Sequence, residues 1–231
     1  MPMILPDGEP QAEPWRALDT SELVARILRS AGEVAGRPRL VALDGRGASG
    51  KSSLAAALQA AVPRSALVHT DDIAWNEPLF AWGNVLREGV LMPLHRGEPV
   101  RFRPPAWQPH GRSGGIQVEQ GLDLVLIEGV GASQAPVADV IDLAIWVQAD
   151  FDEAERRGIQ RDIAQGVNGD SDQTIAFWHY WMAAELAFLA KDRPWERAGL
   201  VVAGTPVIEL EAGQFAVAVP HPGNRPSTDS R

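Results

Sequence analysis

The sequence has no cysteine, which excludes disulfides, thiolate zinc sites and a cysteine nucleophile while leaving the redox compartment open. No apolar run is long enough to cross a bilayer, and the start, Met1-Pro2-Met3-Ile4-Leu5-Pro6-Asp7, lacks the basic residues and apolar core of a signal peptide. A soluble cytoplasmic protein is therefore expected, without a membrane partner. Basic charge is also short: 21 Lys and Arg against 30 Asp and Glu leave a formal net charge of −9, which argues against nucleic acid as a partner. The histidines His69, His110 and His179 are scattered without ligand spacing, and there is neither a G-x-S-x-G elbow nor an internal repeat. Tyrosine is nearly absent too, one against eight tryptophans, which draws attention to where the indoles fall.

What is present is a strand, a glycine-rich turn and a helix start at Leu40-Val41-Ala42-Leu43-Asp44-Gly45-Arg46-Gly47-Ala48-Ser49-Gly50-Lys51-Ser52-Ser53. Gly45, Gly50, Lys51 and Ser52 fill G-x-x-x-x-G-K-[ST], in which backbone N–H groups wrap phosphates, the lysine neutralises them and the hydroxyl reaches magnesium. Gly45, Gly47, Ser49, Gly50, Lys51, Ser52 and Ser53 are the expected nucleotide contacts. The helix formers Leu54 to Val62 follow, as this reading requires.

The 231 residues suit one α/β domain over 17–219, with a proline-rich flexible arm at 1–16 and a disordered tail at 220–231. Asp19-Thr20-Ser21-Glu22 predicts a capped helix stopping near Gly36-Arg37-Pro38. Buried strands are expected at 39–43, 66–70, 122–129 and 142–147, with shorter ones at 100–103, 200–202 and 207–210. Helices are expected from Trp82 to Leu94, from Phe151 to Gln165 and, after a break at Val167-Asn168-Gly169-Asp170, as a separate long helix to about Ala190. Strands alternating with helices imply a three-layer α/β/α P-loop NTPase fold with a mostly parallel sheet and a helical lid. The loop from Pro104 to Gly115 is long enough to fold over a ligand.

The acids after the loop decide what it is for. No N-K-x-D string is present to read guanine. Ligands sit at the carboxyl ends of strands in such sheets, which places Asp71 and Asp72 near a terminal phosphate. Phosphoryl transfer to an alcohol needs a carboxylate beside the acceptor oxygen, and Asp71 is the candidate base. A turn acid or helix cap is its alternative reading. Asp72 is divided between substrate contact and structure. Glu128, closing an apolar strand, is a candidate for holding magnesium with Ser52. Arg157 and Arg161 fall four apart on one helix face and suit a lid over phosphates, with Asp162 fixing one of them, the alternative being a solvated face. Trp75, Trp107 and Arg103 are candidates for the acceptor pocket, against a reading of the indoles as core; Trp82 fits core better.

These segments together resemble the uridine kinase-like family of P-loop kinases, whose relatives include pantothenate kinase and phosphoribulokinase. The likeness runs from about residue 39 to 205: Asp44 to Ser52, Asp71-Asp72, Ile127-Glu128-Gly129, Arg157 to Asp162, and Leu200 to Pro206. It implies that Lys51 and Ser52 handle phosphates and magnesium, that Asp71 is the catalytic base and that Arg157 and Arg161 belong to the lid. The family's tyrosine-aspartate pair is missing from Phe102-Arg103-Pro104-Pro105-Ala106-Trp107, and Gly199 stands at a usually acidic position. The expected activity is ATP- and magnesium-dependent transfer to a hydroxyl of a nucleoside-like or sugar-like small molecule, with homodimerisation left open. Its alternatives are a nucleotide-binding regulatory protein with little or no transfer, and plain ATP hydrolysis.

Overall fold

Asp19 closes a short strand, β1 (Arg16–Asp19), and caps α1 (Thr20–Ser30). Its carboxylate accepts the Glu22 amide while the Glu22 side chain accepts the Asp19 amide, the reciprocal box the spacing predicts. The apolar run then forms β2 (Arg39–Gly45), the glycine loop, and α2 (Lys51–Ala61). β3 (Ser65–His69) leads into a single turn, α3 (Thr70–Ala74). The computed structural model describes residues 2–219, so the tail expected at 220–231 lies outside the described residues.

The helix expected from Trp82 to Leu94 is interrupted. α4 (Gly83–Leu86) widens into a π turn at Arg87–Leu91 before α5 (Met92–His95). Pro93 has no N–H to return to the preceding turn, and a wider turn just before it absorbs the mismatch. Its apolar stripe, Leu86, Val90, Leu91 and Leu94, is buried. β4 (Val100–Phe102) and β5 (Ile116–Val118) form a separate two-stranded antiparallel sheet joined by the long proline-rich loop. β6 (Leu124–Glu128), β7 (Leu143–Gln148), α6 (Phe151–Gln165), α7 (Ser171–Asp192), β8 (Leu200–Ala203) and β9 (Gln214–Ala218) complete the described chain.

The main sheet has the order β1-β9-β8-β7-β2-β6-β3. From β8 to β3 neighbouring strands are parallel; β9 runs antiparallel to both β8 and β1. Residues alternate across β2: Leu40 and Ala42 enter the core beneath α4 and α5, whereas Val41 and Leu43 enter the one beneath α1 and α2. A third cluster around Trp146, Leu189 and Trp195 lies under the end of α7. This is the expected α/β/α arrangement, with a mostly parallel sheet covered on both faces.

Three expectations are corrected. The strand placed at 207–210 is irregular, and the pairing strand comes later, at Gln214–Ala218, after the turn at Gly213. β3 is an edge strand pairing only with β6, not a strand buried on both sides. The N-terminal segment is not a loose arm. Its Glu9 is buried and accepts from Trp146 Nε1 at 2.7 Å and Gln148 Nε2 at 2.9 Å, while the Ala12 amide donates to Gln148 Oε1 at 3.0 Å. Prolines prevent regular structure there, but these polar anchors fix the segment without it.

Candidate active site

Parallel strands bring their carboxyl ends to one edge of the sheet, and the chemistry-bearing residues gather there. Glu128, last in β6, is registered between Leu43 of β2 and His69 of β3. The loop after β2 depends on two close approaches. A Cβ on Gly45 would lie 2.6 Å from the Val147 carbonyl oxygen, and one on Gly204 would lie 1.8 Å from the Ser49 carbonyl oxygen. Gly50 caps α2 at a φ of 100° and no side chain caps the helix, whose first turn carries no acid. The first amides of α2 therefore have no intrahelical acceptor, a favourable place for an anion.

Lys51 is buried and its Nζ donates to the Arg46 carbonyl at 2.6 Å. Burial pulls its ammonium below the ordinary lysine value, against the opposing fields of Glu128, Glu185, Asp44 and Asp71. Ser52 Oγ donates to Glu128 Oε1 at 3.1 Å, and His69 Nδ1 lies 2.7 Å from Glu128 Oε2. Ser52 and Glu128 thus offer adjacent hard oxygens. That pair fits magnesium, which takes one or two protein oxygens and keeps several waters.

Asp71 stands exposed in the first turn of α3. Crowding around its carboxyl raises it above the ordinary aspartate value; Glu128 and Asp72 add to that, and Lys51 and His69 oppose it. The structure therefore brings Lys51, Ser52, Asp71 and Glu128 into one electrostatic neighbourhood.

The neighbouring Asp72 is committed locally. Its carboxylate pairs with Arg112, and its carbonyl accepts from Trp107 Nε1 at 2.8 Å. The Arg112 guanidinium lies 3.8 Å from the Trp107 ring centre and 5.4 Å from that of Trp75. Trp107 is consequently buried with its indole N–H already spent, which removes the free donor expected of it as a pocket wall. Trp75 is half-buried and meets His110 edge-on at 5.9 Å. Arg103 donates to the Arg112 carbonyl at 2.7 Å, so it braces the long loop. One residue that sequence reasoning missed is Arg112, fifth after Trp107; nothing local marks it, because its partner lies forty positions earlier in the chain.

The arginines of α6 behave differently from one another. Arg157 Nη1 donates to the Gly204 carbonyl at 3.0 Å, beside the loop, and its buried Nε and Nη2 have no hydrogen-bond partner. Arg161 is exposed and donates Nε to Asp162 at 2.7 Å, as the sequence expectation for Asp162 required. Asp162 also accepts from Trp178 Nε1 at 2.7 Å. That indole packs on Gly158, where a Cβ would come within 2.1 Å of it, and a Cβ on Gly47 would lie 2.7 Å from Trp181. α6 and α7 are thereby packed against each other and onto the loop. Ser53 is exposed on α2.

Two buried acids complete the surroundings. Asp44 accepts the amides of Gly45, Gly131 and Ser133 and the Ser133 hydroxyl, all within 2.9 Å, and burial still raises its carboxyl. Glu185 accepts the Gly47 amide at 2.7 Å and pairs with Arg46 Nη2 at 3.3 Å. Burial raises Glu185 and lowers Arg46 despite their attraction. The signal for Glu185 was present: it occupies the buried stripe of α7 formed by Trp178, Met182 and Leu189, a charge at an apolar position.

No protein-family model matches the sequence, and comparison with curated proteins finds none that matches. Solved structures do. A Silicibacter sp. TM1040 protein proposed to be a fructose transport system kinase is 23% identical, with a TM-score of 0.52 over 78% of this chain and 95% of that one. D-glycerate 3-kinase from Cryptococcus neoformans var. grubii serotype A is 14% identical, with a TM-score of 0.50 over 80% of this chain and 92% of that one. A Bacillus stearothermophilus protein proposed to be a uridine kinase is 18% identical, with a TM-score of 0.46 over 77% and 96%. The first two of these structures show that the chain shares their α/β fold.

Proposed function

We propose that the protein is an ATP- and magnesium-dependent kinase that phosphorylates a hydroxyl of a small nucleoside-like or sugar-like molecule. The observation that carries this is the gathering of Asp71, Lys51, Ser52 and Glu128 beside the uncapped start of α2. A simple nucleotide-binding scaffold has no need of Asp71. In this reading the loop amides and Lys51 hold the β- and γ-phosphates, and Arg157, beside Gly204, supplies donors at the phosphate end. Magnesium, held by Ser52 and Glu128 when bound, neutralises charge on the phosphate oxygens. Asp71 orients the acceptor hydroxyl and takes its proton as the oxygen attacks the γ-phosphorus and the bond to the β–γ bridging oxygen breaks, releasing ADP. Its raised affinity for protons favours that role, since a base works best when its pKa approaches the working pH. The acceptor lies on the Asp72–Arg112 side, near Trp75.

A second reading is a nucleotide-binding regulatory protein with little transfer. It is favoured by Glu185 and Trp181, which already occupy the Gly47 side of the loop. Coupled ADP release, measured across nucleosides, sugars, pantothenate-like alcohols and amino sugars with a no-acceptor control, separates the two. Asp71→Asn is expected to lower acceptor-dependent turnover by about 10²–10⁴ while ATP affinity changes little. Turnover surviving in Asp71→Asn, or ADP release indifferent to acceptor, defeats the kinase mechanism; nucleotide binding without turnover supports the second reading.

A further inference from the structure

α7 has 22 residues and so runs about 33 Å at a rise of about 1.5 Å per residue. Its inner face, with Trp178, Met182, Glu185 and Leu189, is buried. Its outer face has the composition of an interior. From Gln173 to Ala190 the only Asp, Glu, Lys, Arg or His residues are His179 and Glu185. Glu185 is buried, and His179 turns to α6, with Nε2 3.2 Å from Glu155 Oε1. At about 100° per residue, Ala176, Tyr180, Ala183, Ala187 and Ala190 fall within about 80° of arc, and Phe177 flanks them. All six are exposed, Phe177 by 45% and Tyr180 by 66%. A surface helix normally turns charge to solvent, so an uncharged outer face carrying two large aromatics marks a contact surface.

The pattern along that face says what covers it. Bulk sits in the first half, at Phe177 and Tyr180, and only alanines follow on the exposed side from Ala183 to Ala190. Charge is confined to the ends and is opposite: Asp172 in the first turn and Lys191 in the last, both exposed. A second copy of the helix, antiparallel about a two-fold axis level with Met182, matches both patterns. Asp172 then comes opposite the partner's Lys191, and Phe177 and Tyr180 lie over the partner's alanines, with the reverse contacts generated by symmetry. Large side chains over small ones let helix axes approach to about 8–10 Å. A membrane surface or a nucleic acid would call for basic residues here, and this face of a chain with net charge −9 has only Lys191 at its end. A strip about 33 Å long and about 12 Å wide covers about 400 Å² on each copy, about 800 Å² in all. That is small for a specific interface and sets the expected strength at micromolar rather than nanomolar.

We propose that the outer face of α7 is an interface with a second copy of this chain, the two helices packed antiparallel about a two-fold axis level with Met182. The contact leaves untouched the inner face, where Glu185 accepts the Gly47 amide. This inference does not depend on the kinase reading, and its test does not read ADP release.

Sedimentation equilibrium of the full-length protein is the measurement. A monomer–dimer equilibrium with a Kd of about 1–100 μM is expected. Ala183→Lys puts a charge at the centre of the face and should weaken the dimer at least about 100-fold, with the circular dichroism of the parent retained. Asp172→Lys and Lys191→Asp each set like charges against one another at both ends of the contact, and each should weaken it about tenfold. Mixed in equal amounts, these two variants present opposite charges to each other at both ends and should form a heterodimer about as tight as the parent dimer. A protein that stays monomeric up to about 500 μM overturns the proposal, and if it binds neutral lipid vesicles instead, the face belongs to a membrane surface. A dimer indifferent to Ala183→Lys overturns it too, because another face is then in use. A mixture no tighter than its two components overturns the antiparallel pairing.

Discussion

The Arg46–Glu185 pair makes a sharp test, because its charges are opposite while its energetics oppose intuition. The side chains are 3% and 2% exposed and their polar atoms 3.3 Å apart. At an effective dielectric of about 20 that separation corresponds to an attraction of about 5 kcal/mol. Burial is nonetheless the largest influence on both groups, raising Glu185 from its ordinary 4.5 and lowering Arg46. Taking both charges from water thus costs more than their attraction returns. Removing one partner strands the other: Glu185→Ala is expected to cost about 3–5 kcal/mol, with the Gly47 amide left unserved as well. Glu185→Gln keeps an acceptor for that amide and isolates the charge effect. Adding Arg46→Met to it removes both charges and should restore stability to within about 1 kcal/mol of the parent. Arg46→Met alone leaves a buried carboxyl whose native pKa is raised further. Such a group favours the native state below its unfolded value and loses that contribution as pH rises through the native one, so the penalty should be small near about pH 5 and large near about pH 8. Urea unfolding followed by tryptophan fluorescence at both pH values gives all four numbers. A double variant no more stable than Glu185→Gln, or an Arg46→Met penalty indifferent to pH, refutes the reasoning.

Three further outcomes are expected. If Asp71 is the base, acceptor-dependent kcat/KM rises with pH through a value above the ordinary 3.8 of aspartate and then levels; a profile flat across the acid range rules it out. Trp178→Phe removes the 2.7 Å bond to Asp162 and should cost about 1.5–3 kcal/mol in urea unfolding, since the acceptor is charged. Deleting residues 1–15 withdraws Glu9 from Trp146 and Gln148, and should lower stability by at least about 2 kcal/mol; an unchanged unfolding midpoint would mean the segment is not anchored.

The phosphate-loop segment of the candidate site was legible because its signals are local. The strand, loop and helix from Arg39 to Ala61 are contiguous, and the Asp19–Glu22 box spans three residues. Strand ends then located Asp71 and Glu128 through topology alone. The cluster of Asp72, Trp107 and Arg112 was not legible, since these residues meet only after the proline-rich loop folds back. Whether an indole N–H is free or spent is a tertiary fact, and Trp107 shows it. β9 escaped because Phe-Ala-Val-Ala is weakly patterned, whereas Val207-Ile208-Glu209-Leu210 is rich in apolar strand formers but pairs with no strand. The anchoring of the N-terminal segment rests on Glu9, Pro10 and Ala12 meeting the side chains of Trp146 and Gln148, more than a hundred residues away.

The pairing of β1 with β9 has a consequence for synthesis. Arg16 is registered with Val217, so the first strand emerges from the ribosome about two hundred residues before its partner. At about 5–20 residues per second that is a wait of roughly 10–40 s. During it the parallel strands can assemble around β2, but one side of the sheet stays open and Glu9 has nothing to accept from until β7 exists. A nascent chain halted before residue 214 therefore carries β1 without its β9 partner, exposed to pairing with other chains. β1 cannot pair with β9 before β9 is made, so a paired β1 reports that synthesis has passed β9.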